Sequence, residues 1–105
     1  MMVRTHETSY RDRLDTDVAM DVRFLTRGAS VIDYAIVLLV RERGLWRAVR
    51  VYDNTHGVND MHRYNRDGVK QPAETFHHGS AGEAMQTALD TVRGGYSETI
   101  ESWRR

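Results

Sequence analysis

The sequence predicts an α+β protein: an antiparallel β-meander of four to five strands with one long C-terminal helix packed on one face. Three observations carry this. From Val18 the apolar residues alternate at period two, with Val18, Met20, Val22 and Phe24 on one side and Asp21 and Arg23 on the other, as a half-buried strand requires. Val31 to Val40 is apolar almost throughout, which suits a strand covered on both faces for part of its length. Met85, Leu89, Val92, Tyr96, Ile100 and Trp103 then recur every three or four residues, giving a helix one apolar stripe with which to close the sheet.

The 105 residues are enough for one modest core. They divide into a loose polar arm over 1–17, a meander over 18–78 and a helix over 80–103. Arg27-Gly28-Ala29-Ser30 is the turn into the central strand, and Arg41-Glu42-Arg43-Gly44 makes a hairpin into a strand from Leu45 to Tyr52. On that strand simple alternation puts Trp46, Ala48, Arg50 and Tyr52 on one face and Val49 and Val51 on the other. Asn54 to Asp60 reads as a loop, Met61 to Tyr64 as a short strand with His62 and Tyr64 on the same side, and Asn65-Arg66-Asp67-Gly68 as a tight turn. Glu74 to His78 is a further short extended piece that turns Phe76 toward the core. Ser80-Ala81-Gly82-Glu83 has the spacing of a capping box at the start of the helix, and Gly94-Gly95 predicts a bend or break within it.

Fifteen Lys and Arg balance fifteen Asp and Glu, yet the charge is unevenly spread. Arg41, Arg43, Arg47, Arg50, Arg63, Arg66 and Lys70 outnumber Glu42, Asp53, Asp60 and Asp67 in the central stretch. Such an excess of guanidinium suits phosphate or carboxylate recognition, and it also suits a solvated strand face. The absence of cysteine excludes disulfides and thiolate chemistry. The apolar run from Ala35 to Val40 is too short to cross a bilayer, and the opening Met-Met-Val-Arg lacks a signal-like hydrophobic region, so a cytoplasmic protein without membrane contact is expected.

The residues suited to chemistry concentrate between Val49 and Lys70. His56, His62, Tyr64 and Lys70 fall within one loop, strand and turn, and together offer a general base, a general acid and a cation for cleaving RNA through its own 2′-OH, without metal or other cofactor. Arg50 and Arg63, with Tyr52, Asp53 and Asn54, are the candidate substrate-binding residues, although Asp53 and Asn54 equally suit bonds to nearby backbone N–H groups that shape the loop. His77 and His78 are adjacent on an extended segment and point apart, and no metal-ligand spacing is present.

The stretch resembles the TumE-type family, the toxin halves of small prokaryotic TumE–TumA toxin–antitoxin pairs. The likeness runs from Ile32 to Val92 and rests on a strand ending in Tyr52-Asp53-Asn54, then Gly57, His62-Arg63-Tyr64, Phe76 and the helix from Ser80. Tyr64 stands where many relatives carry a second His. The resemblance implies a growth-inhibiting toxin, a candidate endoribonuclease acting on RNA and neutralised by a cognate antitoxin. A non-catalytic module that grips nucleic acid or a partner protein is the alternative. Neither reading fixes whether the chain is a monomer or a homodimer.

Overall fold

The computed structural model describes residues 3–105. It contains β1 (Thr5–Asp15), β2 (Val18–Arg27), β3 (Ser30–Glu42), β4 (Leu45–Asp53), β5 (Asn59–Arg63), β6 (Glu74–His77) and α1 (Ala81–Arg104). The strands form one antiparallel sheet in chain order, β1-β2-β3-β4-β5-β6. The α+β class and the helix-on-sheet arrangement are as the sequence predicts, but the sheet has six strands rather than four to five.

The sixth strand is β1, which replaces the expected loose arm (residues 1 and 2 of that arm lie outside the described residues). All of β1 from Thr5 to Arg13 pairs with β2 in unbroken register, Thr5 opposite Arg27 and Arg13 opposite Ala19. Most of its side chains are exposed, and its contacts to α1 are made near one end, where Arg93 reaches Asp12 at 3.3 Å and the Tyr96 hydroxyl donates to the Leu14 carbonyl. An edge strand with solvent on both sides needs no apolar face, so the alternation that reveals a half-buried strand is missing.

Helix α1 lies on the face built by Met20 and Val22 of β2, Tyr34, Ile36, Leu38 and Val40 of β3, Val49 and Tyr52 of β4, and Met61 of β5. It contributes Leu89, Val92, Ile100 and Trp103 from the expected stripe, with Met85 and Tyr96 partly buried beside them. Ala84 and Ala88 are fully buried as well, and their small side chains let the helix backbone sit close to the sheet. The Ser80 hydroxyl caps the helix by accepting the Glu83 N–H at 3.2 Å. The Glu83 carboxylate returns to the Ser80 hydroxyl at 3.0 Å rather than to its backbone.

Two local expectations are corrected. The pairing of β3 with β4 shifts register between Leu38 and Leu39, so that Leu38 faces Arg50 while Leu39 faces Ala48. Val49 is the extra residue of this bulge. Arg50 and Tyr52 therefore lie on the helix side, whereas Trp46 and Ala48 lie on the open side. There Trp46 is surrounded by the guanidinium groups of Arg11, Arg13 and Arg41, each 5.0 to 5.3 Å from its ring.

The second correction concerns Gly94-Gly95, since α1 runs unbroken from Ala81 to Arg104. Packing of the stripe on both sides of the pair supplies what local propensity withholds. A Cβ added at Gly94 meets nothing within 4 Å. Gly94→Ala is therefore expected to raise stability by up to about 1 kcal/mol in urea unfolding. Destabilisation would mean that the helix does not run through Gly94 in solution.

Candidate anion-binding cleft

Where the C-terminal turns of α1 approach the β5–β6 connection, a cleft of about 460 Å³ opens on the helix side of the sheet. Its cationic lining comes from Arg50 on β4, Arg63 on β5, Arg66 in the turn after β5, and Arg105 beyond α1. Tyr64 and Trp103 also contribute. The bulge at Val49 turns Arg50 to this side, and strand pairing then sets Arg50 directly opposite Arg63. Like charges in directly opposed positions destabilise a sheet unless something compensates them. Arg63 has an ion pair with Glu74 at 2.9 Å, whereas Arg50 has none among the described residues, and its Nε is buried without a hydrogen-bond partner.

One wall of the cleft is organised by Trp103. Its ring lies beneath Arg66 at 3.9 Å and Arg47 at 5.1 Å, and its indole N–H donates to the Asn65 carbonyl at 3.4 Å. Asn65 in turn accepts the N–H groups of Asp67 and Val69, both at 2.9 Å, which fixes the turn. Glu42 serves as a shared counter-ion for Arg47 and Arg66, each at 3.2 Å, and Arg104, at 3.7 Å. Hydrogen bonding from Arg66 is the largest cause holding the Glu42 carboxyl below the usual carboxylate range, followed among the favourable causes by the Arg66 charge and by Arg47. Arg47 and Arg66 are thus internally compensated, while Arg50 and Arg105 have no ion pair among the described residues.

The sequence-predicted residues divide among several places. Arg50, Arg63 and Tyr64 meet in the cleft. Lys70 is exposed and bridges to Tyr64. His62, next to Arg63 on a strand, turns to the opposite face, where its Nδ1 lies 2.8 Å from the Gln71 carbonyl. That contact makes Nδ1 the protonated nitrogen and leaves Nε2 as the free acceptor. His56 is exposed in the loop before β5, while Lys70 lies beyond the other end of that five-residue strand. At 3.3 Å per residue the strand alone holds them on the order of 16 Å apart. His56 therefore stands apart, while His62, Tyr64 and Lys70 lie together where the chain turns back past the end of β5.

Tyr52, Asp53 and Asn54 are occupied by the fold. Tyr52 is buried with its ring edge-on to Phe76 at 5.1 Å. Asp53 accepts the Thr55 N–H at 3.3 Å, and Asn54 accepts the Tyr34 N–H while donating to the Ile32 carbonyl, both at 3.1 Å. Asp53 and Asp60 are cross-strand neighbours, both buried. Together with burial, which is the larger cause, they raise the Tyr34 phenol above its usual range. Tyr34 donates to Asn59 at 2.8 Å, and Asn59 donates to the His77 and Gly79 carbonyls. Among the described residues no three His, Asp or Glu side chains form a group able to hold a metal ion.

A family model described as "Domain of unknown function (DUF7718)" matches residues 3–105. No curated protein and no solved structure matches the chain. The family description carries no link to the TumE-type toxins.

Because the Glu42 pKa is lowered by folding, its contribution to stability is fully present above the ordinary carboxylate value and is lost as pH falls through the folded-state value. Glu42→Gln is expected to lower the denaturation midpoint at about pH 7, with the difference from wild type closing toward about pH 3. A difference that stayed constant over this range would refute the counter-ion role.

Proposed function

The chain belongs to the DUF7718 family, and we propose that it is a non-catalytic nucleic-acid-binding module that grips the phosphates of single-stranded RNA in the Arg50–Arg63 cleft. The observation that carries this reading is the directly opposed Arg50–Arg63 pair, with Arg50 lacking an ion pair among the described residues and its Nε buried and unpartnered. An anionic ligand relieves both costs at once, since guanidinium groups donate paired hydrogen bonds to a phosphate. Arg105 adds a further cation, and the volume suits a nucleotide rather than the width of a duplex.

A ribonuclease toxin restrained by an antitoxin is the second reading. It has one observation in its favour: the Gln71 carbonyl orients His62 with Nε2 free to act as a base. Against it, alternation along β5 turns His62 away from the face that carries Arg50 and Arg63.

Anisotropy titrations of a labelled mixed-sequence single-stranded RNA over a range of salt concentrations test the binding reading. Arg50→Gln and Arg63→Gln are each expected to weaken binding and to reduce the slope of log K against log salt by about one, while His62→Ala binds as wild type. Wild-type affinity in Arg50→Gln would remove the cleft from consideration. Incubation of wild type and His62→Ala with total RNA tests the second reading, since new RNA ends produced by wild type alone would replace the binding module with the nuclease.

A further inference from the structure

The two edges of the sheet are built differently. β6 is four residues long, a length that offers little to a further strand, whereas β1 presents eleven residues without proline. The charges of β1, Glu7, Arg11, Asp12, Arg13 and Asp15, are of both signs, so they bar most strands but can be matched by one of complementary order. The Gly28 N–H donates to the Arg4 carbonyl across the β1–β2 pair at 3.3 Å. In an antiparallel ladder the main-chain groups of successive residues point to opposite edges. Counting from Arg4 through the unbroken register, the even-numbered residues of β1 therefore bond to β2, and Glu7, Ser9, Arg11 and Arg13 direct their N–H and C=O groups to the free edge.

We propose that this edge pairs with β1 of a second copy of the chain, antiparallel about a two-fold axis at Tyr10, giving a homodimer with a continuous twelve-stranded sheet. The sequence of the strand supports this register. With Tyr10 opposite its own counterpart, Glu7 meets Arg13, Thr8 meets Asp12 and Ser9 meets Arg11, and each pairing occurs twice. The residues with outward main-chain groups fall opposite one another, as hydrogen bonding requires, and Glu7 and Arg13 share the open face. Tyr10, a large exposed side chain at 41% exposure, meets the other Tyr10 on the helix side. Moving the register by two residues so that Arg11 lies on the axis opposes Arg11 to itself and Glu7 to Asp15, which like-charge repulsion disfavours. Charge thus excludes the Arg11-centred register, and the Tyr10 pair favours the Tyr10 axis over a Ser9-centred one, in which Glu7 meets Arg11 and Tyr10 meets only Thr8.

The chain has no cysteine, so single-cysteine variants report the register directly. Sedimentation velocity is expected to show wild type shifting, as concentration rises, from the 12.1 kDa chain to twice that mass. A non-hydrogen-bonded pair places its Cα atoms about 4.5 Å apart, within disulfide reach, so Tyr10→Cys should cross-link on mild oxidation and Thr8→Cys should not. Glu7→Arg alone and Arg13→Glu alone are each expected to weaken dimerisation about tenfold or more, and the double exchange to restore it. Circular dichroism of each variant confirms that the sheet remains folded. A wild-type chain that stays monomeric at all concentrations, or cross-linking through Thr8→Cys in preference to Tyr10→Cys, overturns the proposal. So does a double exchange that is folded but fails to dimerise.

Discussion

One helix must cover a six-stranded sheet, and it can cover only one face. The stripe from Ala84 to Trp103 does so against the strands from β2 to β5, and the other features of the molecule adjust to that allocation. The central strand β3 buries Tyr34, Ile36, Leu38 and Val40 on the helix side, while Ala35, Val37 and Leu39 alternate onto the other face. The uncovered face is made tolerable by charge instead. Arg11 pairs with Asp21 at 2.6 Å, Arg23 reaches Asp33 and Glu7, and three guanidinium groups surround Trp46. Ala19, on that same face, is nonetheless fully buried.

The same allocation explains which parts of the structure can be read in the residues. β3 and α1 announce themselves because each carries enough apolar surface to show its period, and Ser80 with Glu83 marks the helix start. β1 does not, because Arg11, Asp12 and Arg13 place charge on both of its sides. The side on which Arg50 falls is also beyond a reading by alternation: one extra residue, Val49, reverses the parity of β4 between its two halves. Of the candidate site, Arg50, Arg63 and Tyr64 are legible as residues, but the cleft they share is not. It forms because Trp103 comes against Asn65 and Arg66, a contact separated by more than thirty positions in the chain. The bond from the Thr55 N–H to Asp53, in contrast, is local and stems from side-chain chemistry, whereas Asn54 reaches Tyr34 and Ile32 on β3, twenty and twenty-two positions away, and is no more legible than the cleft.

The cleft also separates two uses of the same side chain. Around Glu42, guanidinium groups are structural: they share a carboxylate and flank Trp103, which ties the end of α1 to the β3–β4 hairpin and to the turn after β5. Around Arg50 the charge is not balanced in this way, and the bulge that places it there also exempts Val49 from regular pairing with β3. Bulges are recurrent means of re-aiming a side chain next to a site. A count of arginines in the sequence cannot tell these two groups apart, because the difference is made by one acidic residue contributed from another strand.

Strand order in the sheet is identical to order along the chain, so each strand finds its partner by closing the nearest hairpin. Contacts of short sequence separation carry a small loop-closure cost and favour rapid assembly. The helix, however, comes last. Until residues 81–104 are available, the face bearing Met20, Ile36, Leu38 and Val40 has no cover, and an early sheet exposes both this surface and the main-chain groups of its edges. A chain that forms its strands quickly but closes its core only at the end is most vulnerable to aggregation in the interval between the two. Docking of α1 is then the step that covers this surface and closes the core.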